Sequence, residues 1–178
     1  MAKKAEPRDH IDTFLETIHH VLPDLDLEVE GIVDRIGGLA RRLHRSMDET
    51  LAEFGLDSAE HKALSVLAHA GEPFRSTPGR LAKRMELSSG AMTNRLDRLE
   101  QAGLIRRLPD PSDRRGVLVE LTEHGRETYR NAVGVQAKKE ALVTAALNER
   151  EKAQLNSLLR QLMLEFERRE QAAAGGGG

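Results

Sequence analysis

Residues 76–122 read STPGRLAKRMELSSGAMTNRLDRLEQAGLIRRLPDPSDRRGVLVELT. Thr77 followed by Pro78 marks a helix start: a hydroxyl to cap free amides, then a ring that needs no amide hydrogen. Leu81, Ala82 and Met85 give this short helix one apolar side. Residues 86–89, ELSS, form a turn with Leu87 as an apolar plug. A second helix, about 89–102, opens on Ser88-Ser89 and ends at Gly103. Met92, Leu96 and Leu99 recur at helical spacing and define its buried face. The opposite face carries Gly90, Asn94, Asp97 and Gln101, with Thr93 and Arg98 at its flanks. Residues 104–108 then read as a strand, and 109–116 (PDPSDRRG) as a turn-rich loop. Val117, Val119 and Leu121 alternate with Leu118 and Glu120 as a half-buried returning strand. The order is a helix-turn-helix with a hairpin wing.

Working outward, the flanks read as long amphipathic helix. Residues 1–8 are polar and expected to be disordered. Ile11, Phe14, Leu15, Ile18 and Leu22 form one stripe, stopped by Pro23. A long helix of about 27–54 follows, with the stripe Ile32, Ile36, Leu39, Leu43, Met47 and Leu51. Gly37-Gly38 in its middle predicts either a bend or the close approach of another backbone. Gly55 ends it, and Asp57 or Ser58 caps the next helix, with Ala63, Leu64, Leu67 and Ala68 inward. After the hairpin, Thr122-x-x-Gly125 opens a helix to about 146 with Tyr129, Val133 and Leu142 on one side. Asn148 caps a last helix whose face is Leu155, Leu158, Leu159, Leu162 and Phe166.

The expected fold is therefore mainly α: a winged helix-turn-helix with long N- and C-terminal dimerisation helices and a two- to three-stranded wing. The expected divisions are 1–8 disordered, 9–56 N-terminal extension and dimerisation helices, 57–122 the winged lobe, 123–170 C-terminal dimerisation helices and 171–178 a flexible tail.

Composition narrows the function. The 178 residues contain no Cys and no Trp, which removes disulfides, thiolate metal sites and thiol redox sensing. Aromatics are 3%, too few for stacking platforms on single-stranded nucleic acid. No run approaches the ~18 apolar residues of a membrane span, and the N-terminus lacks a signal peptide's apolar core, so a cytoplasmic protein without a membrane partner is expected. The formal net charge is −2, but it is unevenly spread. Residues 75–130 hold twelve basic and eight acidic residues, leaving fifteen basic against twenty-one acidic elsewhere. A basic centre on an acidic frame suits local contact with phosphate.

That distribution points to duplex DNA. The major groove admits one helix, read by short side chains near its N-terminus. Asn94 and Thr93 suit base edges or phosphates, with Gly90 allowing close approach. Ser88 and Ser89 suit phosphates at a helix N-terminus. Arg98 is long enough for backbone or guanine. Arg114 and Arg115 at the hairpin tip suit the adjacent minor groove, with Asp113 expected to fix the Arg115 fork by a side-chain pair. The competing reading is a protein-interaction or architectural module that uses the same fold without ligand-regulated DNA binding. His10, His19 and His20 cluster on the first helix, but the adjacent pair diverges by about 100°, so neither a metal site nor an enzyme is expected.

The string LSSGAMTNRLDRLEQAGLIRRLPDPSDRRGVLVELTEHG resembles the winged helix-turn-helix of the multiple-antibiotic-resistance regulator (MarR) family, over about residues 39–166. The resemblance implies a homodimer on a pseudo-palindromic site, usually repressing transcription, without a cofactor and released by a small ligand. The extra N-terminal helix and SSGAMTNRLDRLE look like the subfamily that senses urate or related anions. There the pocket uses a Trp, an Asp and two Arg. The Arg positions match Arg95 and Arg107, and Arg95 falls near the buried side of its helix. Lys62 stands at the Asp position and the Trp is absent. The implied ligand is thus a small anionic or phenolic effector rather than urate itself.

Overall fold

The computed structural model describes residues 7–175, and the chain divides into two compact units, residues 1–133 and 134–178. The disorder expected for residues 1–8 concerns positions mostly outside the described residues. Arg8 is described, and its guanidinium pairs with Glu16 at 2.5 Å.

In the first unit, α1 (His10–Val21) starts where Asp9 accepts the amides of Ile11 and Asp12, while Asp12 returns the bond to the Asp9 amide. Ile11 and Leu15 are buried where α1 packs on α2 (Leu27–Glu53). Arg35 of α2 clamps the start of α1, 3.0 Å from Asp9 and 2.6 Å from Asp12. The hydrogen bond from Arg35 is the main reason the Asp9 carboxyl is lowered to about 2. The close approach onto α2 comes at Gly31, where a Cβ would stand 3.2 Å from a Leu15 methyl. Gly37 and Gly38, which the sequence singles out, lie in uninterrupted helix and would meet only the arginines one turn on.

The helices α3 (Ser58–Ala68), α4 (Pro78–Met85) and α5 (Ser89–Gln101) enclose the core: Leu51, Leu64, Leu67, Leu81, Met92, Leu96 and Leu99 are at most 1% exposed. Thr77 caps α4 by accepting the Arg80 amide, with Pro78 at the first position. Glu86 turns the chain in the left-handed region (φ 56°), and Leu87 packs half-buried against the core.

Three antiparallel strands follow the order β1–β3–β2: β1 (Arg75–Ser76), β2 (Ile105–Asp110) and β3 (Asp113–Leu121). The hairpin is longer than expected. Most of 109–116, read as loop, continues the ladder through pairs such as Pro109↔Val117, leaving Pro111 and Ser112 as the turn. Its tip is built locally: the Asp110 carboxylate accepts the Ser112 amide at 2.9 Å.

Thr122 caps α6 (Glu123–Thr144): its hydroxyl accepts the Gly125 amide at 3.0 Å and donates to Gly103 O at 2.7 Å, tying α6 to the end of α5. His61 stacks on Tyr129 with ring centroids 5.4 Å apart. Burial lowers the His61 pKa, and its Nε2 has no hydrogen-bond partner among the described residues. The unfolded chain, near ~6.5, therefore takes up a proton that the folded chain resists, and stability is lost as pH falls through that value. Thermal melts from pH 7.5 to 5 are expected to decline less steeply for His61→Phe than for the parent; parallel curves would contradict this.

The second unit holds the end of α6 and α7 (Glu149–Gly175). Asn148 and Glu151 form a reciprocal cap, each side chain bonding the other's amide at 3.0 and 2.8 Å. Residues 171–175, assigned by sequence to the flexible tail, are helical, because Ala and Gln continue α7; 176–178 lie outside the described residues. The predicted stripe of α7, from Leu155 to Phe166, lies exposed, as do Ile32, Ile36, Leu39 and Leu43 of α2.

Candidate nucleic-acid interface

Helix α5 is pinned from below by Met92, Leu96 and Leu99, which leaves Ser88, Ser89, Gly90, Thr93 and Asn94 exposed at its N-terminal half. Ser88 caps the helix, accepting the Ala91 amide at 3.3 Å, and Thr93 Oγ1 donates to Ser89 O at 2.9 Å. The Asn94 side chain is exposed and makes no hydrogen bond among the described residues.

Arg98 is more constrained than the sequence implies. Although 61% exposed, its guanidinium lies 2.9 Å from the Glu60 carboxylate, which is almost wholly buried, and 3.6 Å from Asp57. Arg95 Nη1 meets the same Asp57 at 2.7 Å. Asp57 and Glu60 also form the reciprocal cap of α3. One acidic helix start thus anchors two arginines of α5, which fixes how that helix sits on α3. Burial works to raise the Asp57 pKa, but the Glu60 amide and Arg95 outweigh it and hold the carboxyl below its ordinary value.

Arg95 turns inward as expected, with its Nε buried and without a partner among the described residues. Arg107 is held separately, by Glu100 at 2.5 Å and Asp97 at 2.6 Å. Burial opposes its charge, while these hydrogen bonds raise its pKa. Lys62 lies exposed on α3, and the acid facing Arg95 is Asp57 instead. An acid partner for the inward arginine therefore exists, five positions from where the resemblance places it.

At the wing tip, Arg114 and Arg115 are exposed and neither guanidinium has an acid partner among the described residues. Asp113 acts differently from expectation: its carboxylate accepts the backbone amide of Arg115 at 2.9 Å, shaping the turn rather than gripping the side chain. A two-residue offset along the chain favours that local ring over a side-chain pair.

The residue that sequence reading missed is Glu120. The strand alternation treats it as outward, yet it is 6% exposed. It stands opposite Arg75 of β1 on one side and Arg106 of β2 on the other, and it pairs with both guanidinium groups. Burial pushes its pKa up, and the bonds from Arg75 and Arg106 more than reverse this. The wing root is thereby tied across all three strands. The only hint in sequence is that both cross-strand neighbours are Arg.

Among the described residues no three His, Asp or Glu side chains converge to hold a metal ion, and no helix is long and apolar enough to cross a membrane.

A model described as "MarR family" matches residues 54–116, the span from the end of α2 to the wing. The chain is 35% identical over 143 residues to the multiple antibiotic resistance protein MarR of Escherichia coli, covering 79% of this chain and 96% of that one. The chain belongs to the MarR family. It is also 31% identical over 137 residues to the HTH-type transcriptional regulator PecS of Dickeya dadantii, covering 77% and 82% of the two chains. Relatives such as PecS are named as HTH-type transcriptional regulators, a non-enzymatic family. Among solved MarR-family structures, a mutant of E. coli MarR complexed with operator DNA superposes with TM-score 0.57 at 31% identity, covering 78% of this chain and 98% of that one. YusO from Bacillus subtilis gives TM-score 0.71 at 26% identity, covering 79% and 98%.

Proposed function

We propose that this MarR-family protein is a homodimeric, DNA-binding transcriptional repressor released by a small anionic effector. The observation that carries the reading is the pairing of two free surfaces: the small polar start of α5, and the two unpaired arginines at the wing tip. Ser89, Gly90, Thr93 and Asn94 suit the major groove, Ser88 a flanking phosphate, and Arg114 and Arg115 the neighbouring minor groove. Arg98 serves by holding α5 on Glu60 and reaches DNA only with whatever donors that pair leaves free. E. coli MarR, which has been crystallised with operator DNA, supports the same use of the fold.

Dimerisation is supported by the exposed apolar stripes of α2 and α7, which a lone chain leaves in water. An effector anion would compete with Asp57 for Arg95, and with Asp97 and Glu100 for Arg107. Because Asp57 also anchors Arg98, displacing it would loosen α5 from α3 and lower the DNA-competent population. This reading puts the protein in the cytoplasm, with the chromosome. Footprinting on the upstream region of its own gene tests it. Two protected half-sites centred about 10 base pairs apart, or a multiple, are expected; a single unpaired patch or no protection would refute the dimeric repressor.

A further inference from the structure

A hollow of about 560 Å³ opens between the end of α3, strand β1 and the exposed side of α4. Val66 and Ala70 wall it on the α3 side, and Arg75 and Ser76 on the β1 side. Arg80, Lys83 and Arg84 line the third side. No acidic residue among the described residues lines it. Its residues take no part in the α5 surface, the wing tip, the Arg95 and Arg107 pairs or the apolar stripes of α2 and α7.

The charge in this hollow is left unbalanced by the chain itself. Arg80, Lys83 and Arg84 are spaced i, i+3 and i+4, which places them on one face of α4, where like charges repel. None of the three has an acid partner among the described residues. Lys83 and Arg84 lie in the last turn, where the helix dipole favours a cation. Arg80 lies in the first turn, where the dipole opposes one, so helix stability does not account for it. Arg75 is held by Glu120, but that carboxylate also serves Arg106, and one acid between two guanidinium groups leaves a further positive charge at the β1 side. A concave surface lined by one sign of charge focuses its field on whatever enters.

We propose that this hollow binds a short condensed phosphate chain, either inorganic polyphosphate or the tail of a nucleotide. Arginine forks match phosphate oxygens, and a lysine adds a compact point charge. A row of cations along α4 matches an anion whose charge is spread over linked phosphates better than it matches a single carboxylate. The volume lies within the ~300–1,000 Å³ usual for small-molecule sites. The walls of α3 and β1 favour a compact anion over a duplex, whose backbone needs an open surface. An occupant would tie α4 to α3 and β1, the frame on which α5 rests.

Calorimetric titration of the full chain, without DNA, tests the site with tripolyphosphate, ATP, orthophosphate and adenosine. Tripolyphosphate and ATP are expected to saturate it, orthophosphate to bind at least ~10-fold more weakly because it meets fewer cations, and adenosine to give no heat. Tighter binding of ATP would make a nucleotide the source, and tighter binding of tripolyphosphate an inorganic chain. Arg80→Gln with Arg84→Gln should weaken tripolyphosphate at least ~10-fold. Ala70→Glu, which sets a carboxylate in the hollow, should weaken it without removing a cation. Arg114→Gln with Arg115→Gln at the wing tip should leave it unchanged. All these positions are exposed, so melts of the variants without anion should match the parent. No saturation, equal binding of orthophosphate, or a loss that follows the wing arginines and not those of α4 would overturn the site. So would α4 variants that weaken duplex binding and leave tripolyphosphate unchanged, since α4 would then be a DNA-backbone contact.

Discussion

Gly125→Ala is expected to lower the melting temperature by about 6–12 °C, the shift that ~3 kcal/mol produces in a chain of this size. A Cβ at Gly125 would sit 2.0 Å from the Leu104 carbonyl oxygen, 2.9 Å from the Leu104 carbonyl carbon and 3.0 Å from a Leu121 methyl. The obstacle is backbone, and it is already committed, because Leu104 O accepts the Thr122 amide at 3.0 Å. Relief requires prying α6 away from the end of α5, where Thr122 joins them. Overpacking ordinarily costs about 1–3 kcal/mol, and an immovable neighbour puts this site at the upper end. Gly90→Ala is the control, since a Cβ there meets nothing within 4 Å. Its melt should match the parent or rise slightly, because Ala favours helix over Gly. Equal melts for the two variants would contradict the packing of α6 on α5.

Asn94→Ala combined with Arg115→Ala is expected to weaken binding to the upstream duplex by about a hundredfold or more, each position contributing ~1–3 kcal/mol. Both side chains are exposed, so the melting temperature should stay within the small range usual for surface changes. Arg98→Ala should behave differently. It strips the buried Glu60 carboxylate of its cationic partner, so stability and affinity should fall together. Thermal melts beside anisotropy titrations separate the two patterns. Unchanged affinity in the double variant would leave the winged fold serving protein contacts instead.

The helix starts were legible because each is written in neighbouring residues: Asp57 with Glu60, Thr77 with Pro78, Asn148 with Glu151. The buried face of α5 was legible for the same reason, since spacing alone separates Met92, Leu96 and Leu99 from Asn94. What escaped depends on partners distant in sequence. β1 is two residues without a pattern and becomes a strand only beside Val119 and Glu120. Glu120 reads as a solvent-facing strand residue until Arg75 and Arg106 are brought to either side of it. Arg98 has the face and length of a groove contact, and nothing local reveals Glu60 beneath it. Within the chain, Gly31 rather than Gly37 or Gly38 takes the close approach, because that depends on where α1 docks.

Binding of the full chain to its upstream duplex, measured by anisotropy from 50 to 300 mM salt, tests the DNA-binding reading most directly. Two wings contributing two arginines each, at about −0.9 per phosphate neutralised, set an expected slope of log affinity against log salt near −4. Arg115→Ala should reduce that slope by about two, one arginine charge per protomer. A flat salt dependence, or no binding at 50 mM, would contradict it.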